Sequence, residues 1–295
     1  MKRFHLITFG AILILFIFAF VWKNSGDFYR IHEPDDSSRA SEINDDQQFW
    51  SHFNRAEELR QAGEYRAAAA RYTDALKINK SHEGALYNLG NVNLFLKNFE
   101  QAEENWLQLV GLNQSSARAW LQLGTLYFCL DNKNSLFNPE RAADHFSQAS
   151  ELSREDTGPR LHLSKIAILN NQYNKAVEEL ESVISQNFMS YQSLFLRGYL
   201  YWINGESESA FKKFKESAEL YHNLSHITLH GEGGTAAGAK AMLYEEMFCD
   251  FMGNRISAIL ENQAQTVPEK LFRQFDDELN EWRNKSLKLS ARQAC

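Results

Sequence analysis

The sequence predicts an all-α protein. We expect an α-solenoid of about five helix pairs, preceded by one transmembrane helix and closed by a helical C-terminal cap. Three observations support this prediction. The 295 residues include four prolines and are rich in residues that favour helices. An apolar run lies near the N-terminus, and small residues recur at a fixed interval through the middle of the chain.

Residues 4–22 have the composition of a transmembrane anchor. From Leu6 to Trp22 every residue except Thr8 is apolar or glycine, and as a helix this run extends about 25 Å, close to the bilayer hydrocarbon thickness. The residues at its C-terminal end are bulky and aromatic, which favours an anchor over a cleaved signal peptide, although cleavage stays an open alternative. The basic residues 1–3 predict a cytoplasmic stub, with the rest of the chain on the far, periplasmic or extracytoplasmic side.

Residues 23–48 predict an acidic flexible linker, because they are rich in Asp, Ser and Asn and lack apolar periodicity. The formal net charge of the whole chain is −7, which gives no basic surface for nucleic acid. The three cysteines form no CxxC motif, so a zinc ribbon and a thioredoxin motif are excluded. A disulfide between Cys129 and Cys249 stays open.

The middle of the chain, residues 49–222, is a repeat array. The small residues Ala56, Gly90, Gly124, Ser164 and Gly198 are 34, 34, 40 and 34 residues apart. Alanines recur in step with them, and a large side chain follows four residues after each alanine. The alanines and large residues are Ala68 and Tyr72, Ala102 and Trp106, Ala142 and Phe146, Ala176 and Leu180, and Ala210 and Phe214. The phase-locked series predict five helix pairs, at 49–82, 83–116, 117–156, 157–190 and 191–222.

The third pair contains a six-residue insertion. It falls within residues 131–138, which are mostly polar and are followed by Pro139. Proline is favoured just inside a helix start, so the insertion is predicted to lie in a loop between two intact helices.

The second and third pairs resemble the tetratricopeptide repeat. Residues 85–113 and 117–130 follow its W/L-x-x-L-G-x-x-Y and A-x-x-x-F/Y patterns. The fourth pair departs from the pattern, with Ser164 at the glycine position and Leu180 at the aromatic position. The resemblance implies that small residues let the two helices of a pair approach while the aromatic side chain fills the gap beside them.

The resemblance also implies a concave face, lined by the second, fifth, ninth, twelfth and thirteenth positions of each repeat, that binds an extended or helical peptide. Those positions are mostly apolar or aromatic here, which favours a hydrophobic peptide or an amphipathic helix as the partner. A position of this kind can instead be core between neighbouring helices. The predicted partner-binding groove consists of Phe53, Arg60, Tyr87, Asn91, Leu94, Phe95, Leu121, Phe128, Leu161, Lys165, Ile168, Phe195, Tyr199 and Trp202.

Residues 223–295 predict a Gly-rich loop followed by C-terminal helices. The segment 231–238 contains G-x-G-x-x-A, but no second strand follows to build a dinucleotide fold. Pro268 opens a run with apolar residues near helical spacing. These residues are Leu271, Phe272, Phe275, Leu279 and Trp282.

The sequence as a whole predicts a membrane-anchored scaffold for protein–protein interaction that assists assembly or maturation of an envelope complex. No histidine lies with a nucleophile and an acid in a recognisable catalytic arrangement, so we expect no enzyme, cofactor or small-molecule substrate. The alternative is a metal- or haem-handling maturation factor. It would use His222, His226 and His230, which would share one face of a continuous helix.

Overall fold

The computed structural model describes residues 36–129, 134–230, 251–261 and 267–293. These residues form twelve α-helices, and no strand occurs among them. The helices are α1 Asp36–Gln61, α2 Tyr65–Ile78, α3 Glu83–Phe95, α4 Phe99–Leu112, α5 Ala117–Phe128, α6 Pro139–Leu152, α7 Gly158–Leu169, α8 Tyr173–Gln186, α9 Tyr191–Ile203, α10 Ser207–His230, α11 Phe251–Glu261 and α12 Pro268–Gln293.

Several predicted segments lie outside the described residues. These are the cytoplasmic stub 1–3, the apolar run 4–22, residues 23–35 of the linker and the Gly-rich loop 231–238. Within the described ranges, no helix combines the length and the apolar character that a bilayer crossing requires.

The chain divides into two compact units, Met1–Trp50 and Ser51–Cys295. The described part of the first unit is the N-terminal half of α1. Residues 36–48, which the sequence predicts to be flexible linker, are helical there. Once a helix has formed, each added residue gains a backbone hydrogen bond, so α1 extends beyond the repeat that nucleates it.

The second unit is an array of helix pairs. We number the pairs repeat 1 (α1 and α2) to repeat 5 (α9 and α10), and each helix from α2 to α10 packs against the next. The predicted close approach is present within the pairs. A Cβ atom on Gly90 would lie 2.3 Å from Trp106 Nε1, and one on Gly124 would lie 2.6 Å from Phe146 Cδ1. The small residues therefore give space to the large side chains of the second helices, as the repeat pattern predicts.

The turns inside repeats 1, 2, 4 and 5 each contain a residue with positive φ. Gly63, Lys97, Asn171 and Gly205 have φ of 77°, 60°, 58° and 81°, and they occupy equivalent positions of repeats 1, 2, 4 and 5. This left-handed conformation ends a helix in a tight reversal, and glycine and asparagine adopt it at low cost.

The insertion in repeat 3 leaves the flanking helices intact. Helix α6 begins at Pro139, with the Asn138 side chain accepting a hydrogen bond from the Arg141 amide. Asn134 is buried and donates to the carbonyl oxygens of Leu126 and Cys129, which closes the C-terminal end of α5.

The array ends in two further helices. Both α11 and α12 pack on α9 and α10. Helix α12 begins at Pro268, and its residues Leu271, Phe272, Phe275 and Leu279 are all buried. Trp282 on the same helix is half-buried.

The core of the described residues falls into two clusters. A smaller cluster in α1, α2 and α3 contains Ala56, Leu59, Ala68, Tyr72, Ala85, Leu89 and Val92. A larger cluster extends from α3 to α12. Leu76 on α2 packs against both.

Candidate functional site

The predicted groove residues lie on the first helices of the five repeats, and we call the surface that they form the first-helix face. They differ in exposure. The half-buried members are Phe53, Arg60, Tyr87, Phe95, Leu121, Leu161 and Trp202. The buried members are Asn91, Leu94, Phe128, Lys165, Ile168, Phe195 and Tyr199.

Aromatic side chains form the accessible part of this face in repeats 1 to 3. Phe53 contacts the ring of His82, with 5.3 Å between the ring centroids. The Arg118 guanidinium lies 4.6 Å from the centroid of the Tyr87 ring. Phe95 stacks on Tyr65 with 4.7 Å between the centroids and 2° between the planes. These rings are fixed by neighbours and still reach solvent, as anchor residues for a ligand require.

A polar group lies beside the aromatic residues of repeat 1. The Glu57 carboxylate accepts hydrogen bonds from Arg60 Nη2 at 3.0 Å, from Asn88 Nδ2 at 2.6 Å and from the Tyr72 hydroxyl. Burial and the neighbouring Glu57 carboxylate raise the pKa of Tyr72 above its usual value. The network satisfies the Glu57 charge and fixes where polar groups of a ligand can bind.

The sequence does not predict several of the residues that shape this surface. Tyr65, Asn88 and Gln122 lie outside the family positions, and Gln122 Nε2 donates to the Tyr87 hydroxyl at 3.2 Å. Asn88 is one residue after Tyr87, but its bond to Glu57 joins two repeats. No local pattern indicates such a contact, because it depends on how the repeats stack.

The centre of the predicted groove is closed. Lys165 is 1% exposed, and its Nζ atom donates to Gln192 Oε1 at 2.6 Å. Phe128 is 2% exposed and belongs to the larger core cluster. In the folded chain these two side chains are packed inside and are not accessible to a ligand.

The predicted groove residues of repeat 5 contact the chain's own helix α12. The rings of Phe272 and Phe275 lie 5.4 Å and 5.2 Å from the ring of Phe195, measured between centroids. The Tyr199 hydroxyl donates to Asp276 Oδ1 at 2.6 Å. Burial, together with this carboxylate, raises the pKa of Tyr199. Phe195 and Tyr199 are therefore occupied in the structure, where the sequence predicts contact with a separate partner.

Arg283 of α12 makes the corresponding contact with repeat 4. Its Nη2 and Nε atoms donate to the carbonyl oxygens of Ile168 and Leu169, at 2.9 Å and 3.2 Å. These carbonyls are at the C-terminal end of α7, where a positive charge is favourable. The Ile168 carbonyl oxygen also accepts the Asn171 amide at 3.1 Å.

Comparison with protein families agrees with the geometry of the helix pairs. Residues 53–97 and residues 83–116 each match a family model described as tetratricopeptide repeat. Residues 53–116, which span most of repeat 1 and all of repeat 2, thus have the sequence pattern of the tetratricopeptide repeat.

The curated relatives of this chain are distant. It is 25% identical over 169 residues to BBSome complex member BBS4 of Bos taurus, covering 55% of this chain and 31% of that protein. It is 25% identical over 165 residues to anaphase-promoting complex subunit 3 of Schizosaccharomyces pombe (strain 972 / ATCC 24843), covering 56% of this chain and 24% of that protein. The chain thus spans less than a third of the length of either relative.

Solved structures share the fold of the helix-pair array. The crystal structure of MamA protein superposes with a TM-score of 0.52 and 22% identity, covering 61% of this chain and 95% of that chain. At this identity the likeness shows the fold alone.

Of the three histidines proposed as metal ligands, the structure describes the side chain of His222 alone. Helix α10 continues to His230, so His222, His226 and His230 share one helix as the spacing requires. His222 is exposed, and the side chains of the other two lie outside the described residues. Among the side chains that are described, no group of three or more His, Cys, Asp or Glu residues could hold a metal ion.

Cys129 follows α5 and is 1% exposed. It is disulfide-bonded, and no other cysteine lies among the described residues.

Proposed function

We propose that this chain is an interaction scaffold whose tetratricopeptide array binds a hydrophobic peptide or an amphipathic helix of a partner protein. The binding site is the accessible first-helix face of repeats 1 to 3. One observation carries the proposal. Phe53, Tyr87, Phe95 and Leu121 stay partly exposed in the folded chain, whereas Phe195 and Tyr199 at the equivalent face of repeat 5 are covered.

The side chains of the first-helix face in repeats 1 to 3 indicate what kind of partner would bind there. Rigid aromatic side chains supply contact area at a low cost in conformational entropy, and a few of them carry most of the affinity of a typical interface. Arg118, Asn88 and Gln122 lie beside these rings. The two amide nitrogens each donate one hydrogen bond within the chain, to Glu57 and Tyr87, and each carries a second N–H. A ligand with an apolar stripe and a flanking acceptor group fits this arrangement.

The role in assembly rests on two further points. Both relatives are named as members of multiprotein complexes, which supports a scaffold that joins proteins. The metal- or haem-handling alternative has no described ligand cluster in its favour.

We further propose that residues 4–22 anchor the chain in a membrane, with the array on the far, extracytoplasmic side, where it assists assembly of an envelope complex. The apolar run and the basic residues before it support this orientation.

The test is an affinity capture with the full-length chain from detergent-solubilised native membranes. The variant is Phe53→Ala/Tyr87→Ala, which truncates two half-buried rings that pack at the edges of the core clusters. The matched control is Leu107→Ala/Leu112→Ala, which truncates two exposed apolar side chains on α4. Phe128 is unsuitable as a test, because its truncation would leave a cavity.

We expect a protein that the wild type and the control retain and that the variant loses. With that protein purified, the variant should weaken its binding by at least about 2 kcal/mol, about 30-fold in Kd. If all three chains capture the same proteins with equal affinity, the first-helix face of repeats 1 to 3 is not the binding site.

A further inference from the structure

Helix α12 lies on the part of the array where a tetratricopeptide ligand would bind. Its Phe272 and Phe275 contact the fifth, ninth and twelfth positions of repeat 5, namely Phe195, Tyr199 and Trp202. Its Arg283 reaches the C-terminal end of the first helix of repeat 4. The helix therefore crosses the first-helix face of two repeats.

We propose that α12 is an intramolecular ligand of repeats 4 and 5, and that an amphipathic helix of a partner with the same residue pattern competes with it. The proposal concerns a surface separate from repeats 1 to 3 and does not depend on what binds there.

The apolar side of α12 has the spacing of a helix bound in a groove. Leu271, Phe272, Phe275 and Leu279 follow each other at intervals of one, three and four residues, and none is more than 6% exposed. Arg273, Gln274, Asp277, Asn280 and Glu281 on the other side are exposed. Peptide helices that bind in protein grooves present anchors at this spacing.

Two polar contacts set the direction of α12. Asp276 accepts the hydrogen bond of Tyr199, and Arg283 donates to the carbonyl oxygens of Ile168 and Leu169. Asp276 and Arg283 are seven residues apart, two helical turns, so both point to the same side. From Phe272 to Arg283 the helix rises about 16 Å, enough to pass from repeat 5 to repeat 4.

The contacts define the competing ligand. It is a helix with two adjacent apolar residues, an apolar residue three positions later, an acid directly after that, and an arginine seven positions beyond the acid. The acid meets the Tyr199 hydroxyl, and the arginine meets the carbonyl oxygens of Ile168 and Leu169 at the C-terminal end of α7. Because the side chains of Asp276 and Arg283 are 25% and 14% exposed, the polar contacts lie at the edge of the covered surface. A competitor can meet them before it displaces the buried rings.

The probe is a fluorescein-labelled synthetic peptide of residues 267–293, added to the purified full-length chain and followed by fluorescence anisotropy. The wild type should bind it weakly, because α12 holds the surface. The substitutions Phe272→Ala/Phe275→Ala weaken the contact of α12 with repeat 5 of the same chain. We therefore expect this variant to bind the peptide at least about 10-fold more tightly than the wild type does. A peptide with the same two substitutions should bind neither chain.

Three controls keep the result decisive. Leu287→Ala, at an exposed position of α12, should behave as the wild type. Asp276→Ala/Arg283→Ala retains the aromatic core and should show intermediate binding, which covers the case in which the double Phe variant fails to fold. Phe53→Ala/Tyr87→Ala should leave peptide binding unchanged, so the two surfaces are tested separately.

Any of three results would overturn the proposal. The first is a folded Phe272→Ala/Phe275→Ala chain that does not take up the peptide. The second is a wild type that takes it up as well as this variant does. The third is a wild-type dimer, seen by sedimentation, that the Phe272→Ala/Phe275→Ala substitutions dissociate, because α12 would then dock on a second copy of the chain.

Discussion

At the scale of single residues, the helix pairs depend on small residues placed against large ones. Gly90 lies against the Trp106 indole, and Trp106 Nε1 also donates to the Tyr87 carbonyl oxygen at 3.3 Å. Trp106 is completely buried, so it has no space into which it can move. Position 90 therefore requires glycine, because there is no space for a side chain beside Trp106.

Adding one methyl group at this position tests the packing. Gly90→Ala would place Cβ 2.3 Å from Trp106 Nε1, and we expect it to lower the free energy of unfolding by about 1–3 kcal/mol. Gly111→Ala in α4 is the matched control. No neighbour lies within 4 Å of its Cβ, and alanine should stabilise that helix by up to about 1 kcal/mol. Urea unfolding followed by circular dichroism measures both, and equal effects would contradict this account.

The residue scale also shows what the sequence can and cannot predict. Gly90 and Trp106 are paired by their spacing alone, because both belong to one repeat and the repeat fixes their geometry. The exposure of Phe195 and Tyr199 cannot be predicted from the spacing of the repeats. Their positions predict side chains that face a separate ligand, but in the structure helix α12 lies against them. Tyr199 and its hydrogen-bond partner Asp276 are 77 residues apart in the sequence. No local pattern encodes that docking.

At the scale of helices, hydrogen bonds at the helix ends stabilise the point where each helix begins. Helix α3 begins after His82, whose Nδ1 atom accepts a hydrogen bond from the Ala85 amide at 3.1 Å. Desolvation by burial lowers the pKa of His82 below its ordinary value of 6.5. The neutral ring is the form that can accept this hydrogen bond, so folding favours the deprotonated side chain.

The pH dependence follows from that shift. A base with a depressed pKa in the folded state contributes stability at pH values above its unfolded pKa, and this contribution is lost as the pH falls. We expect the cap of α3 to weaken below about pH 6.5, by up to about 1 kcal/mol, the size of an N-cap. His82→Asn keeps an acceptor that does not titrate. Urea midpoints at pH 7.5 and 5.5 should therefore differ less in this variant than in the wild type, and an equal difference would contradict the assignment.

Helix boundaries were predictable where the chain carries local signals. Pro139 and Pro268 each open a helix at the residue that the sequence indicates. The start of α1 at Asp36 was missed, because acidic and serine-rich composition favours a linker while helix propagation from repeat 1 favours a continuous helix.

At the scale of the array, the two core clusters imply unequal stability. Repeat 1 contributes to the smaller cluster and joins the larger one through Leu76, whereas repeats 2 to 5 share the larger cluster with α11 and α12. In a repeat array each unit is stabilised mainly by its neighbours, so a unit with a small shared core opens at a lower free energy.

Hydrogen exchange with mass spectrometry tests this inequality. We expect the amides of α2 to exchange at least about 10-fold faster than those of α9, since α2 packs in the smaller cluster and α9 is covered by α10, α11 and α12. Uniform protection across the helices would show that the array opens as one cooperative unit.

The position of α12 after the repeats has a consequence for biosynthesis. Chains leave the ribosome from the N-terminus, and their units fold in that order. Repeats 4 and 5 are complete by His230, while α12 starts at Pro268. During that interval the nascent chain presents Phe195, Tyr199 and Trp202 without the helix that later covers them. Late translation is thus the stage at which a chaperone protects this surface most effectively, and at which a co-translational partner meets the least competition for it.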